Sequence, residues 1–437
     1  MRQKQFKIKG TSMNITNITK IDSDLFSLEL IGDDERGYDF LTDECLLELK
    51  QLKSPKGLLS VYLDIRPETL QTKPLLTRFK NLIKEIQQAK EGDWDRDEKM
   101  LFDAVVAEMS QRLDLESKAV QGKGLVLFAS PSRINPKSKK LDYDLIKVFH
   151  LPDAPSDLVV WSQTPVLEPL LIQKDEHAET GVVLFDRESV RFFLYSMGEA
   201  AEYTLKFLNP DPFPMTKAHS WHGYGTHNHH QWQEEHYKHY LRHAATAIAK
   251  IAEKTRWKWL VLASPDTQEP KHLVDFLPKA LQSKAIGYAS MPMTCSLNEV
   301  RDQVAPIVRQ AEINEEKATL EQWVGELERP GGLAVSGVED TVNAAQQFRL
   351  LTLIFPADFV QKGWQCESCQ AWSADLQETP LPKCPYCGSD QLIEKADIIG
   401  EIAVQTIHSG GHVEVVREPD HRSIVANHGM IGGLLRF

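Results

Sequence analysis

Four cysteines fall in two pairs of identical spacing, Cys366-x2-Cys369 and Cys384-x2-Cys387, with fourteen residues between the pairs. No other feature of the chain constrains its local folding as tightly. Each Cys-x2-Cys turn presents two thiolates about one tetrahedral edge apart, and two such turns complete a four-coordinate shell of the kind zinc takes. Gly388 follows the second pair and Pro385 lies inside it, and both residue types suit a tight turn. A closed four-thiolate shell leaves no position for water, so the spacing predicts one structural Zn2+ in a zinc ribbon over about residues 362–391. The alternative is four unrelated buried or redox-active cysteines. Metal binding worth about 10–16 kcal/mol in small zinc peptides would fold a segment with almost no core of its own. Trp364 and Trp372 flank the first pair, and either pack over it or meet a partner. Cys45 and Cys295 stand alone and read as ordinary core thiols.

The chain has 437 residues, enough for about two to four domains. Its 42% hydrophobic and 26% charged content supplies more than one core. No stretch approaches the ~18 uninterrupted apolar residues of a membrane span. The first fourteen residues are basic but lack the apolar core of a secretory signal. Six cysteines without such a signal predict a reducing, cytoplasmic setting. Net charge is −12, which argues against a nucleic-acid partner until its distribution is considered. Between Lys217 and Lys258 lie seven Lys or Arg against three Glu, a local balance of +4, and eight of the fifteen histidines fall between His219 and His243.

The pattern predicts an α/β (α+β) chain of three domains, 1–176, 177–296 and 297–437. In the first, apolar runs at 57–65 and 124–129 read as buried strands, and helices are expected over 73–89 and 98–115, the latter with Leu101, Val105, Met109 and Leu113 at helical spacing. The turn-rich basic segment 131–140 reads as a hairpin tip. In the second, a hairpin is expected from 181–186 and 190–195, then a loop over 209–230 and a helix from about Gln231 to Thr255. The apolar stripe of that helix is Tyr237, Tyr240, Leu241, Ala244, Ala245, Ile248, Ile251 and Ala252, with Lys238, Arg242, Lys250 and Lys254 opposite. Strands at 259–263 and 286–289 complete this layer. A helix over 297–328 leads to Pro330-Gly331-Gly332. The last unit alternates strand 333–336, helix 338–348 and strand 350–355, and after the cysteine pairs helix 395–408, strand 413–416 and a final apolar run.

Four readings of the histidine-rich segment stand side by side. His227, His229 and His230 form a partial metal set that no Cys or Asp completes. A histidine general base would suit a hydrolase, but no nucleophile motif lies near. A solvated loop at the head of a helix is the plainest reading. Contact with RNA is the fourth: His222, Gly223, Tyr224, Gly225, His227, His229 and His230 combine close backbone approach with stacking and polar groups, and Lys238 and Arg242 can reach phosphates. The mixture of glycine, aromatic and basic residues favours it.

The residues Gly332-Leu333-Ala334-Val335-Ser336-Gly337-Val338-Glu339-Asp340-Thr341, followed by LLTLIF at 350–355, resemble the start of the third domain of release factor 1 of archaea and eukaryotes, a family that includes Pelota. The closing run Gly429–Phe437 is similar to the family's glycine-rich final strand, and archaeal members carry a cysteine knuckle in this domain. Residues 234–243 resemble the basic helix that follows the family's catalytic loop, and the first unit matches only in pattern. The resemblance implies a three-domain release-factor-1/Pelota-like architecture with the zinc ribbon inserted in the third domain. It also implies a factor that enters the ribosomal A site, contacts rRNA, and works beside a translational GTPase, for which elongation factor Tu is the bacterial candidate. A monomer off the ribosome and no membrane partner are expected.

The sequence departs from the family in two places. Release factors carry Gly-Gly-Gln, whose glutamine places a water and whose backbone N–H supports the oxyanion. Here His222-Gly223-Tyr224-Gly225 stands at that point, and no Gly-Gly-Gln occurs anywhere. An Asn-Ile-Lys-Ser stop-codon reader is also missing. No catalytic residue is therefore assigned. The expected function is non-catalytic ribosome binding in hibernation or stalled-ribosome recognition. The alternative is a peptidyl-tRNA hydrolase or tRNA-acting nuclease that uses the His222–Gln231 segment, and a scaffold without RNA is a third.

Overall fold

A computed structural model of the chain describes residues 13–14, 26–31, 41, 43–90, 94–116, 122–134, 141–186, 189–207, 226–255, 257–266, 268–374, 383–395 and 397–437. They form a mixed α/β structure that divides into two compact units, Met1–Leu41 with Ala178–Arg309, and Thr42–His177 with Gln310–Phe437.

The first unit is built on a seven-stranded sheet. Its order is Ala285–Ser290, Trp259–Ser264, Thr180–Phe185, Ser189–Ser196, Glu199–Phe207 and Phe26–Ile31, with Met13–Asn14 also paired to Ser189–Ser196. Thr180–Phe185 and Ser189–Ser196 form the expected antiparallel hairpin, and Trp259–Ser264 runs parallel to both its neighbours. Alternate residues Val183, Phe185, Phe192 and Leu194 face one side of the sheet. On that face packs the helix Thr226–Thr255 through Leu241, Ala244, Ala245, Ile248 and Ile251, the stripe read from the sequence. Trp257 closes this core against Gly181, where even a methyl group would come within 2.1 Å of the indole.

The second unit holds two larger sheets. The strands Leu141–Leu151, Gly124–Ile134, Leu58–Asp64 and Leu158–Ser162 are antiparallel in that order, and Leu58–Asp64 is buried along its whole length as the central position requires. The helix Arg96–Glu116 buries Leu101, Val105, Met109 and Leu113, as its spacing predicts. Phe102 of this helix meets Trp161 edge-on at 5.2 Å, and the Trp161 indole donates to Glu98 at 2.7 Å. The segment 131–140 is only partly a tip, because the strand Gly124–Ile134 continues through Pro131 and Arg133.

The other sheet runs Ala334–Ser336, Gly432–Leu435, Leu350–Pro356 and His412–Val416. Leu353 and Phe355 face the helices Val338–Gln346 and Ile399–His408, while Ile354 faces Trp323 and Val425 on the opposite side. Helix Glu168–Glu176 joins this core through Ile172, and its Asp175 carboxylate accepts from the Val413 backbone N–H at 2.7 Å. Cys45 and Cys295 are buried, as expected of core thiols. Burial pushes the Cys295 thiol up. Among the described residues, no helix is long and apolar enough to cross a membrane.

Candidate metal centre and nucleic-acid face

The four paired cysteines come together on a three-stranded antiparallel sheet ordered Trp372–Ala374, Gly363–Cys366, Leu392–Lys395. Its central strand ends at Cys366, where the chain turns sharply: the Gln370 N–H donates to the Cys366 carbonyl at 2.8 Å, and the Cys366 N–H to the Ala371 carbonyl at 2.9 Å. The second pair repeats the turn, with Gly388 N–H to Cys384 carbonyl at 2.9 Å and Cys384 N–H to Ser389 carbonyl at 2.7 Å. The residue after each pair is left-handed, Gln370 at φ 60° and Gly388 at φ 76°. Ser368 ties the turns together, its hydroxyl lying 3.0 Å from that of Ser389.

The sulfur atoms lie 3.5 Å apart for Cys366 and Cys387 and 3.7 Å apart for Cys369 and Cys384, and all four lie within 4.8 Å of one another. A tetrahedron with metal–sulfur bonds near 2.3 Å has edges of about 3.8 Å, so the set fits one four-coordinate metal ion. Backbone N–H groups aim at the sulfurs. That of Cys369 leads in holding the Cys366 thiol down at about 6. Burial opposes the same effect at Cys384, yet the N–H groups of Cys387 and Tyr386 keep its thiol below the ordinary value. Backbone N–H groups act in the same sense at Cys369 and Cys387, but burial and the neighbouring thiols outweigh them, raising Cys369 to about 12 and Cys387 above the ordinary value. The N–H dipoles favour thiolate, the form that binds metal, at Cys366 and Cys384.

Of the two readings of Trp372, packing and partner contact, the structure supports packing. Trp372 is buried in the core formed by Ile398, Ile399 and Leu353. It cannot serve as an exposed contact, because its ring fills the space between the small sheet and the helices. Tyr386 donates to Asn343 at 2.8 Å and accepts from Gln346 at 2.8 Å, docking the second turn on helix Val338–Gln346. Gln346 also donates to the Trp372 carbonyl at 3.0 Å, so one helix holds both halves of the centre.

Of the residues proposed for RNA contact, His222, Gly223, Tyr224 and Gly225 lie outside the described residues. His227, His229 and His230 fall on the first turns of helix Thr226–Thr255, which begins five residues earlier than the sequence reading placed it. Nothing after Gly225 breaks a helix: from Thr226 onward there is no glycine or proline to Thr255. Lys238 and Arg242 are exposed one turn apart. His239 and His243, also one turn apart, stack with ring centroids 4.9 Å apart, and the Arg242 guanidinium lies 5.9 Å from the Phe276 ring. This is a polar, cationic face opposite an apolar one, able to meet phosphates.

A second group of side chains escaped sequence reasoning. Asp153, Glu176 and His177 bring ligand-type atoms within 4.8 Å of one another. Arg417 occupies the point where they converge, with its Nε 2.9 Å from Asp153 and its Nη1 against Glu176, so the positive charge there is a guanidinium. No spacing motif announces this group, because Asp153 and Arg417 meet Glu176 and His177 only through the fold.

Residues 165–309 match the profile of Bacterial archaeo-eukaryotic release factor family 10. Peptide chain release factor subunit 1 of Pyrococcus abyssi is 25% identical over 212 residues, covering 45% of this chain and 51% of that protein. Its counterpart in Thermococcus sibiricus is 23% identical over 189 residues, covering 40% and 45%. The chain thus spans about half the length of the curated relatives it matches. Among solved structures, the archaeal translation termination factor aRF1 aligns at 17% identity over 90% of this chain and 96% of that one, with a TM-score of 0.22. Dom34 of S. cerevisiae, described as a translation termination-like factor, aligns at 12% identity over 94% and 97%, with a TM-score of 0.38. The chain is similar to release factors over part of its length, and the matched profile includes residues 234–243, where the sequence resemblance was read.

Proposed function

We propose that the protein is a ribosome-binding factor that occupies the A site without reading a codon and without releasing peptide, acting in hibernation or stalled-ribosome recognition in the manner of the hibernation factor Balon. One observation carries the reading: a chain similar over 212 residues to peptide chain release factors contains no Gly-Gly-Gln. Without that tripeptide the water-positioning glutamine and its flanking glycines are missing, while the exposed Lys238 and Arg242 keep a face suited to rRNA phosphates. Three functional parts, 1–176, 177–296 and 297–437, then divide the work, and the profile match at 165–309 supports treating the middle part as the release-factor-like one. The ion held by Cys366, Cys369, Cys384 and Cys387 is zinc on this reading, since four thiolates in a tetrahedron suit it and leave no catalytic opening. A translational GTPase, elongation factor Tu in a bacterium, delivers the factor or binds beside it.

Sedimentation with vacant ribosomes tests the reading. Co-migration is expected at low salt and should weaken steeply as salt rises. Lys238→Glu with Arg242→Glu should weaken binding and lower the slope of log K against log salt by about 1 to 2. No co-migration at low salt would sink the proposal. Turnover of stalled peptidyl-tRNA above background would instead favour a hydrolase or nuclease that uses the His222–Gln231 segment.

A further inference from the structure

Residues 178–309 leave the second unit at His177 and return to it at Gln310. These two points are joined directly, since His177 Nδ1 lies 2.8 Å from a Glu312 carboxylate oxygen. The other ring nitrogen lies 2.8 Å from Asp153. We infer that His177, held as an imidazolium between Asp153 and Glu312, is the pin that closes the neck through which residues 178–309 leave and re-enter this unit, and that the neck opens when the ring loses its second proton. The inference does not depend on the proposed function.

The geometry requires the charged ring. A neutral imidazole has one N–H, so one of the two carboxylates would face a lone pair in a buried place. Every element packed here contributes a charged or polar group. Asp153 follows strand Leu141–Leu151, and its carboxylate also meets Lys123 at 3.2 Å. Helix Glu168–Glu176 supplies Glu176 and Gln173, the latter donating to the Asp153 carbonyl at 3.1 Å. Helix Leu297–Glu328 supplies Glu312 and Glu316. Arg417 follows strand His412–Val416, and His421 of the next helix meets Glu316 at 2.6 Å. With the ring protonated, the carboxylates of Asp153 and Glu312 each accept a hydrogen bond from it. Loss of one proton takes that donor from one of them, and removing a partner from a buried ionic group is costly.

Burial alone would push the imidazole down, but the hydrogen bonds to Asp153 and Glu312 outweigh it and raise the ring to about 9. Burial would likewise raise Asp153, and the hydrogen bond from His177 with the charge of Arg417 holds it well below the usual carboxylate range. The pin is therefore closed at neutral pH and releases on the alkaline side.

Two mass-spectrometric measurements on the full chain decide it. The C2–H exchange of His177 should show a pH midpoint near 9. Backbone amides in 149–153, 172–177, 310–316 and 413–418 should lose protection by about tenfold or more, relative to intrinsic rates, across that pH range. Strand Trp259–Ser264 should keep its protection. His177→Gln should show the unprotected pattern already at pH 7. A His177 midpoint near the ordinary ~6.5, or neck protection that persists beyond the midpoint, overturns the pin. So does a folded His177→Gln protein with the neck fully protected. Should that variant not fold, the titration of the unaltered chain decides alone.

Discussion

Gln370 and Gly388 hold equivalent places in the two cysteine turns, each directly after the second thiol and each left-handed. For a residue with a Cβ that conformation costs about 1–2 kcal/mol, which glycine avoids. No atom lies within 4 Å of a Cβ built on Gly388, so Gly388→Ala tests conformation without a clash. It should lower the local stability of the centre by about 1 kcal/mol, speeding native-state exchange of the 384–395 amides roughly fivefold. Gln370→Gly should slow exchange at 363–366 by less than that, because Gln370 also donates to the Glu367 carbonyl at 2.9 Å. Equal exchange in both variants and the parent chain would contradict the assignment of strain. The metal set was legible because its information is local, two pairs at fixed spacing. The His177 set was not, for Asp153, His177, Glu312 and Arg417 share a place only after four segments fold.

At the scale of elements, the final strand Gly432–Leu435 shows how a glycine-rich run becomes obligatory. A Cβ at Gly432 would sit 2.2 Å from the Trp323 ring and 2.5 Å from the Val335 carbonyl oxygen. Trp323 cannot withdraw, since its indole donates to that same carbonyl at 2.9 Å from a fully buried position. Gly432→Ala should therefore destabilise the chain by roughly 2–3 kcal/mol. Gly325→Ala on helix Leu297–Glu328 meets nothing within 4 Å and should gain up to about 1 kcal/mol from helix propensity. Thermal midpoints of the two variants should move in opposite directions, and a shift in the same direction would defeat the packing argument. Elements with strong periodicity were read correctly, the helix Leu297–Glu328 to the residue. Strand Leu141–Leu151 gives little signal in the sequence because it lies at a sheet edge, where Asp142, Asp144 and Lys147 interrupt the apolar pattern. Helix Thr226–Thr255 starts five residues before the expected Gln231 because histidine and asparagine, common in loops, do not break a helix.

For the whole molecule, two buried histidines set opposite limits on pH. His150, on strand Leu141–Leu151, is pulled down to about 4 by burial. Its folded form is neutral, so the unfolded chain binds the extra proton between about 6.5 and 4, and stability falls as pH drops through that window. His177 acts in the other sense. Its folded value of about 9 exceeds the unfolded ~6.5, so its contribution is complete below about 6.5 and is lost as pH rises to about 9. Asp64 and Asp358, both held below the ordinary carboxylate value, add losses only at stronger acid. Thermal midpoints measured from pH 4 to 10 should thus trace a dome with its top near neutrality. His150→Gln should flatten the acid limb and leave the alkaline one, while His177→Gln should lower the top and flatten the alkaline limb. A dome that keeps both limbs in both variants would mean that other groups carry the pH dependence. Loss of both limbs from a single substitution would mean that the two histidines do not act independently.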